Sequence, residues 1–402
     1  MKVLQINATY GYGSTGFIMK DIGDMLTEAG EQAYFAYQSS KNSVENGVVV
    51  GSKSDWKIHA ILCRLFGRQG YYSKGATKKL LNKIDALKPD VVHLHNLHSN
   101  FINLNLLLDY LAKKDIPTVI TMHDCWYFTG KCFHFVDAGC DKFTTDCKNC
   151  PKKNAPPKSM FFDRAYYVLR DRKKYLEAIP RLRVVGCSQW ISEQAKRGFM
   201  KNLNLCAIHN GVDTDVFYQR DKQECKRELG LENKFVIMGM ANKWFNPVNK
   251  AFFEAMLKNV DCDSKILLAG CTKKRIEILK KHKDKITAIG FINDREALAK
   301  CYGAADVFVN VTHADTLPTV NMESICCGTP VITYDCCGSP ELVPEGCGYV
   351  VPENDYEKMV QKILEIRQKP ALNCSEIGAV SFNKKNCYQQ YLNIYKDLIN
   401  NL

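Results

Sequence analysis

Short apolar runs alternate with amphipathic stretches along nearly the whole chain. Val3–Asn7, Ala33–Tyr37, Val48–Val50, Val91–His95, Thr118–Met122 and Val184–Cys187 read as strands. Helical spacing fills Gly16–Ala29, Thr77–Leu87 and Asn103–Lys113 between them. Alternation of this kind predicts an α/β domain with a doubly wound parallel sheet. A polar stretch, Asp213–Asn233, reads as a linker to a second alternating set: Phe235–Met240, Ile266–Ala269, Ile286–Ile289, Val307–Val311 and Val331–Tyr334. The chain closes on a Tyr-rich helical pattern, Cys387–Asn400. With 402 residues, more than one core usually holds, the expectation is two Rossmann-like domains, 1–215 and 216–380, with a last helix in 381–402. Two such domains facing each other would form a cleft at the carboxyl ends of their strands, where open α/β sheets bind ligands.

Apolar residues at 46% and charged ones at 24% are ordinary for a globular protein. No apolar run approaches the roughly 20 residues of a membrane span, and MKVLQIN passes straight into a strand rather than a secretion leader. Nineteen cysteines without an export signal argue for a reducing, cytoplasmic setting. The net charge of +12 is uneven. Residues 1–200 hold 29 Lys and Arg against 18 Asp and Glu, the remainder 26 against 25, so the first half should meet an anionic partner. Trp56–Lys79 and Lys158–Lys174 interleave basic and aromatic residues, a composition suited to an anionic bilayer surface and hence to peripheral attachment at the inner face of the cell membrane. No nucleic-acid module is recognisable.

The most informative stretch is His313–Pro330, HADTLPTVNMESICCGTP, between two strand patterns. Leu317-Pro318 reads as a turn into a short helix, Thr319–Cys327, stopped by Gly328 and Pro330. The N–H groups of a helix start attract phosphate. Asp315 and Glu323 flank that start, and carboxylates there would repel phosphate unless they hold hydroxyls of the same ligand. A diphosphate with a polyol at each end, a nucleotide-sugar, meets both demands.

Asp315, TLPTVNM, Glu323 and SICCGTPVI, with Gly338-Ser339-Pro340-Glu341 downstream, resemble family four of the glycosyltransferases, retaining enzymes of GT-B fold. The first acid is Asp where the family usually has Glu. The resemblance implies transfer of a sugar from a UDP- or GDP-linked donor to a glycan or polyprenyl-pyrophosphate-linked acceptor in bacterial surface polysaccharide assembly. By that analogy Glu323 binds ribose hydroxyls and Asp315 the donor sugar. Leu317, Pro318, Thr319, Val320 and a lysine hold the diphosphate, and Gly290-Phe291 lies near the base. No catalytic metal is implied. The chain departs from the family's Arg and Lys-Gly pattern after the first strand of domain two. Lys243 and Lys250 are the candidate cations, and the departure keeps a degenerate, binding-only protein as an alternative.

Gly11, Gly13 and Gly16 match G-x-G-x-x-G, which also raises an NAD(P)-dependent oxidoreductase. No acid lies between Gln32 and Val44 to hold a ribose, and the loop begins three residues after the predicted strand, both against that reading. In the family, such a loop places Gly13 and Gly16 against the donor phosphates or the acceptor. His123, ending a strand, resembles the family's histidine at the reacting centre. His95, His98 and Ser188 are read as lining the acceptor side, and His93 as polar lining.

Cys132, Cys140, Cys147 and Cys150, spaced C-x7-C-x6-C-x2-C in a segment with little apolar periodicity, are expected to hold a structural zinc that staples the loop. Similar Cys-rich insertions occur in polysaccharide-assembly members of the family.

Overall fold

The computed structural model describes residues 1–368 and 374–400. The chain divides into two units, Met1–Asn210 with the C-terminal residues from Cys387, and Gly211–Asn386.

Seven parallel strands form the first sheet: β1 Lys2–Tyr10, β2 Gln32–Ser40, β3 Gly47–Val49, β4 Val91–Leu94, β5 Thr118–Met122, β6 Leu182–Gly186 and β7 Leu205–Ala207. Their spatial order is β3-β2-β1-β4-β5-β6-β7. The central strands β4 (VVHL) and β5 (TVITM) are buried along their whole length, which is why they carry no charged residue. The first helix, Ser14–Glu28, turns Ile18, Met19, Ile22, Met25 and Leu26 onto the sheet. That is the i, i+4, i+7 face of an amphipathic helix. The last helix, Lys384–Asn400, contributes Tyr388, Tyr391, Leu392 and Tyr395 to the same core.

The second sheet has six parallel strands: β8 Phe235–Met240, β9 Ser264–Ala269, β10 Ile286–Ala288, β11 Val307–Asn310, β12 Val331–Tyr334 and β13 Gly348–Val351, in the order β10-β9-β8-β11-β12-β13. In each sheet the strand order reverses once, between β1 and β4 and between β8 and β11. Loops at such a switch point diverge and leave a crevice.

Two sequence expectations are corrected, and two strands are added. The segment 213–233 is no linker. It carries the helix Lys222–Glu228 and belongs to the second unit, anchored by buried Phe217, Cys225 and Leu231, too widely spaced to show a period. The glycine loop follows its strand directly, because β1 extends to Tyr10 by pairing with β2 as far as Ser40. The edge strands β7 and β13 carry too little apolar pattern to stand out in sequence.

Candidate functional site

In the second unit the site begins where β8 ends. Gly239 has no side chain, so the Trp244 indole lies against the strand, and its Nε1–H donates to the Val309 carbonyl at 2.9 Å. This fixes the turn Ala241–Trp244 and aims Lys243 at the loop leaving β11. Its Nζ donates to Thr312 Oγ1 at 2.9 Å and sits 3.4 Å from Asp315 Oδ2. Asp315 is held in place by the N–H of Leu317, 3.3 Å from Oδ1, while its own carbonyl accepts from Gly338 N–H at 3.3 Å. Lys243 is also steadied from behind. The buried Asn249 amide donates at 2.9 Å to both the Lys243 and the Val311 carbonyls.

The helix that follows spans Thr319–Cys326, with Pro318 at its N-cap supplying no side-chain cap. Asn321 N–H already donates to the Pro318 carbonyl at 3.0 Å, while the N–H groups of Thr319 and Val320 have no intrahelical acceptor by geometry. Leu317 and Pro318 are buried beneath the start, and Thr319 and Val320 are partly exposed. Glu323 lies on the second turn, deep but with some surface accessible, and accepts from Tyr302 O–H at 3.1 Å. Burial raises its carboxyl above the usual range, opposed by the Tyr302 bond and the Arg295 charge. A basic ammonium, an uncapped helix start and two carboxylates thus follow the carboxyl ends of the central strands β8 and β11. The arrangement suits a phosphate between two sets of hydroxyls. Lys250 does not join them: its side chain is 80% exposed and its nearest acid, Glu254, is 3.9 Å away. Gly290 follows β10, its carbonyl accepting from Gly270 N–H at 3.2 Å, and Phe291 beside it is 79% exposed.

In the first unit three histidines converge at the carboxyl ends of β4 and β5. His95 Nε2 lies 3.0 Å from Gln5 Oε1, and His95 Nδ1 lies 3.1 Å from His123 Nε2. Burial lowers His123 to about 4 and His95 well below the ordinary imidazole value, so both are neutral at pH 7. His98 Nε2 meets Asp124 Oδ2 at 2.9 Å. Burial alone would raise Asp124, but the His98 contact overrides it and the carboxyl is lowered. His93 belongs to a separate network, bonded to Tyr395 O–H and Thr121 Oγ1, both at 2.7 Å. Gln5, Thr121 and Tyr395 carried no sequence signal of these roles. Gly13 caps the first helix at φ 66°, and a Cβ on Gly16 would sit 2.8 Å from Thr9 Oγ1, so both glycines answer to the loop's own geometry. Ser188 is fully buried and caps the helix Gln189–Lys196 by accepting from Ile191 N–H at 3.2 Å.

The four cysteines expected to bind zinc lie near one another: Cys132 feels Cys150 and Cys147, and Cys147 feels Cys150 and Cys140. Cys132 and Cys150 pair thiol to thiol, which raises the first and lowers the second. Among the described residues, no group of three or more His, Cys, Asp or Glu is placed to hold a metal. The segment is also held by lysine side chains. Lys131 Nζ donates to the carbonyls of Lys152 and Lys153 at 2.9 and 2.8 Å, and Lys152 Nζ donates to His134 O at 3.0 Å. Phe128, Phe135 and Phe143 cluster beneath, with centroids 4.5 to 6.3 Å apart.

Residues 18–216 match the family model for Glycosyltransferase Family 4, and residues 232–369 that for Glycosyl transferases group 1. The protein assigned as the colanic acid biosynthesis glycosyl transferase WcaC of Escherichia coli (strain K12) is 23% identical, over 99% of this chain and all of its own. The alpha-monoglucosyldiacylglycerol synthase of Acholeplasma laidlawii is 24% identical over 80% of this chain and 79% of its own. Among solved structures, sucrose-phosphate synthase from Thermosynechococcus elongatus superposes with a TM-score of 0.70 at 18% identity, covering 99% of this chain and 98% of that one. Anabaena HepE in complex with UDP and glucose gives 0.64 at 16% identity, covering 99% and 100%. The two family models together span most of the chain, and the sheets have the matching architecture: this is a glycosyltransferase of the group 1 and family 4 kind, with the GT-B fold.

Proposed function

We propose that this chain moves a sugar, with retention, from a UDP- or GDP-linked donor to a glycan or polyprenyl-pyrophosphate-linked acceptor in bacterial surface polysaccharide assembly, working at the cytoplasmic face of the cell membrane. The observation that carries the reading is Lys243, set 3.4 Å from Asp315 beside the uncapped start of the helix Thr319–Cys326. In this reading Lys243 and the helix N–H groups take the diphosphate. As the bond from the anomeric carbon to the phosphate oxygen breaks, they stabilise the charge left on the nucleotide. The acceptor hydroxyl oxygen bonds the anomeric carbon and its proton passes to the departing diphosphate. Asp315 orients the donor sugar, Glu323 the ribose, Gly290 and Phe291 the base, and His123 lines the reacting centre. No divalent metal takes part.

The names of the relatives support the acceptor class: one is assigned to colanic acid biosynthesis and one builds a glycosylated diacylglycerol. The HepE complexes with UDP and with UDP-glucose favour a uridine donor. Incubating the purified protein with a panel of UDP- and GDP-sugars, with nucleotide release as readout, tests the proposal. Release from at least one donor is expected. Thermal stabilisation by UDP or GDP without release from any donor would favour the binding-only reading.

A further inference from the structure

The helix Lys53–Phe66 has two apolar faces. One is turned inward, where His59 and Cys63 are buried. His59 Nδ1 meets Ser73 Oγ at 2.7 Å. The other carries Ile58, Ile61, Leu62 and Leu65, spaced i, i+3, i+4, i+7, which places them on a single stripe. Ile58 and Ile61 are 57% and 58% exposed. A capping box of Ser52 and Asp55 starts the helix, and Gly67 at φ 70° ends it. Its fold therefore does not depend on covering the outer stripe.

A second apolar element adjoins it. Met160 N–H donates to the Arg64 carbonyl at 2.7 Å, and the Phe162 ring stacks on Phe66 at 6.2 Å. Met160 and Phe161 are 54% and 61% exposed. The two segments, some hundred residues apart in sequence, form one contiguous exposed apolar patch. Lys57, Arg64 and Lys158 border it, and neither Trp56–Lys79 nor Lys152–Phe162 contains an acid. Exposed apolar residues rimmed by one sign of charge mark an interaction surface.

We infer that this patch is the part of the first unit that inserts into the headgroup region of an anionic phospholipid bilayer. A rim in which Lys57, Arg64 and Lys158 outnumber the flanking Asp55 and Asp163 complements an anionic leaflet, and the apolar stripe enters the acyl boundary. The inference gives a location to the membrane attachment in the proposed function, and its test does not depend on sugar transfer.

The test is co-sedimentation of the full chain with phosphatidylcholine vesicles, with and without phosphatidylglycerol. The wild type should bind the anionic vesicles at least about tenfold better than neutral ones, and added salt should weaken binding. The double variant Ile61→Glu, Phe161→Glu should lose about tenfold or more, because both positions place a charge in the bilayer. Both side chains are exposed, so folding, checked by thermal melting, should be unchanged. Val248→Glu, a 56% exposed site in the second unit, should bind as wild type. A wild type that stays in the supernatant, or a double variant that binds normally, would overturn the inference. So would self-association that the double variant abolishes without any vesicle binding, because a second copy would then cover the patch. Vesicle binding without nucleotide release from any donor would leave the patch standing and remove the proposed transfer.

Discussion

His95 accepts a hydrogen bond from His123, Nδ1 to Nε2 at 3.1 Å, and the direction of that bond is set from Gln5. The Gln5 Nε2 donates to the Met19 carbonyl at 3.1 Å, so its Oε1 must face His95 Nε2, 3.0 Å away. An amide oxygen can only accept, so His95 carries its proton on Nε2, Nδ1 is left to accept, and His123 must donate from Nε2. His95 and Gln5 are thus positioning residues for the histidine that lines the reacting centre in the proposed function.

Gln5→Met should remove the acceptor that orders this relay. The expected result is a fall of about tenfold or more in kcat with little change in KM for the donor, the size seen when outer hydrogen-bond partners are lost. Nitrogen NMR of the imidazoles should show Nε2-protonated His95 and His123 in the wild type and a mixture in the variant. A wild-type tautomer pattern in the variant would contradict the assignment.

Buried neutral imidazoles make stability depend on pH. His59 and His123 are lowered from 6.5 to about 4 by burial, and His93 and His95 lie well below 6.5. Below about 6.5 the unfolded chain binds protons that the folded one does not. Stability should therefore fall with pH from about 6.5 downward, by as much as about 1.4 kcal/mol per unit for each fully titrating histidine. Calorimetry between pH 7.5 and 5 checks this. A flat Tm over that interval would contradict the burial of these rings.

The two candidate lysines should separate cleanly. Lys243→Ala removes the ammonium beside Asp315 and Thr312, and should cost about a hundredfold in transfer, as losing a preorganised charge stabiliser does. Lys250, 80% exposed and 3.9 Å from Glu254, should tolerate alanine with less than about a twofold change. The reverse ranking in nucleotide release would show that the turn Ala241–Trp244 does not present the cation.

Asn249→Ala strips the amide that ties the Lys243 carbonyl to the Val311 carbonyl. The Lys243 carbonyl keeps the Asn246 N–H at 3.1 Å, but the Val311 carbonyl loses its amide donor, which should cost about 1–3 kcal/mol. It should also raise the donor KM, because Lys243 loses its backing. Chemical denaturation alongside donor kinetics reads both effects.

Much of this was legible in the sequence because the physics was local. Strands buried on both faces become short β-branched runs without charge, as in Thr118–Met122, and the helix stop at Gly328 follows from its φ of 82°. The acids Asp315 and Glu323 stood out because each flanks a helix start. The choice between Lys243 and Lys250 was not legible, since it depends on the indole of Trp244 locking one turn. Nor was the contact of Tyr395 with His93, 302 positions away, which needs the last helix to lie on the first sheet. The lysine ammonium groups that bind backbone carbonyls across the Cys-rich segment were not legible either, because such bonds leave no periodic trace.

The most direct test of the account is nucleotide release from UDP- and GDP-sugars by the wild type and by Glu323→Ala, with thermal melting of both. The account predicts release by the wild type and none measurable from a variant that still folds. Full turnover by Glu323→Ala would contradict it.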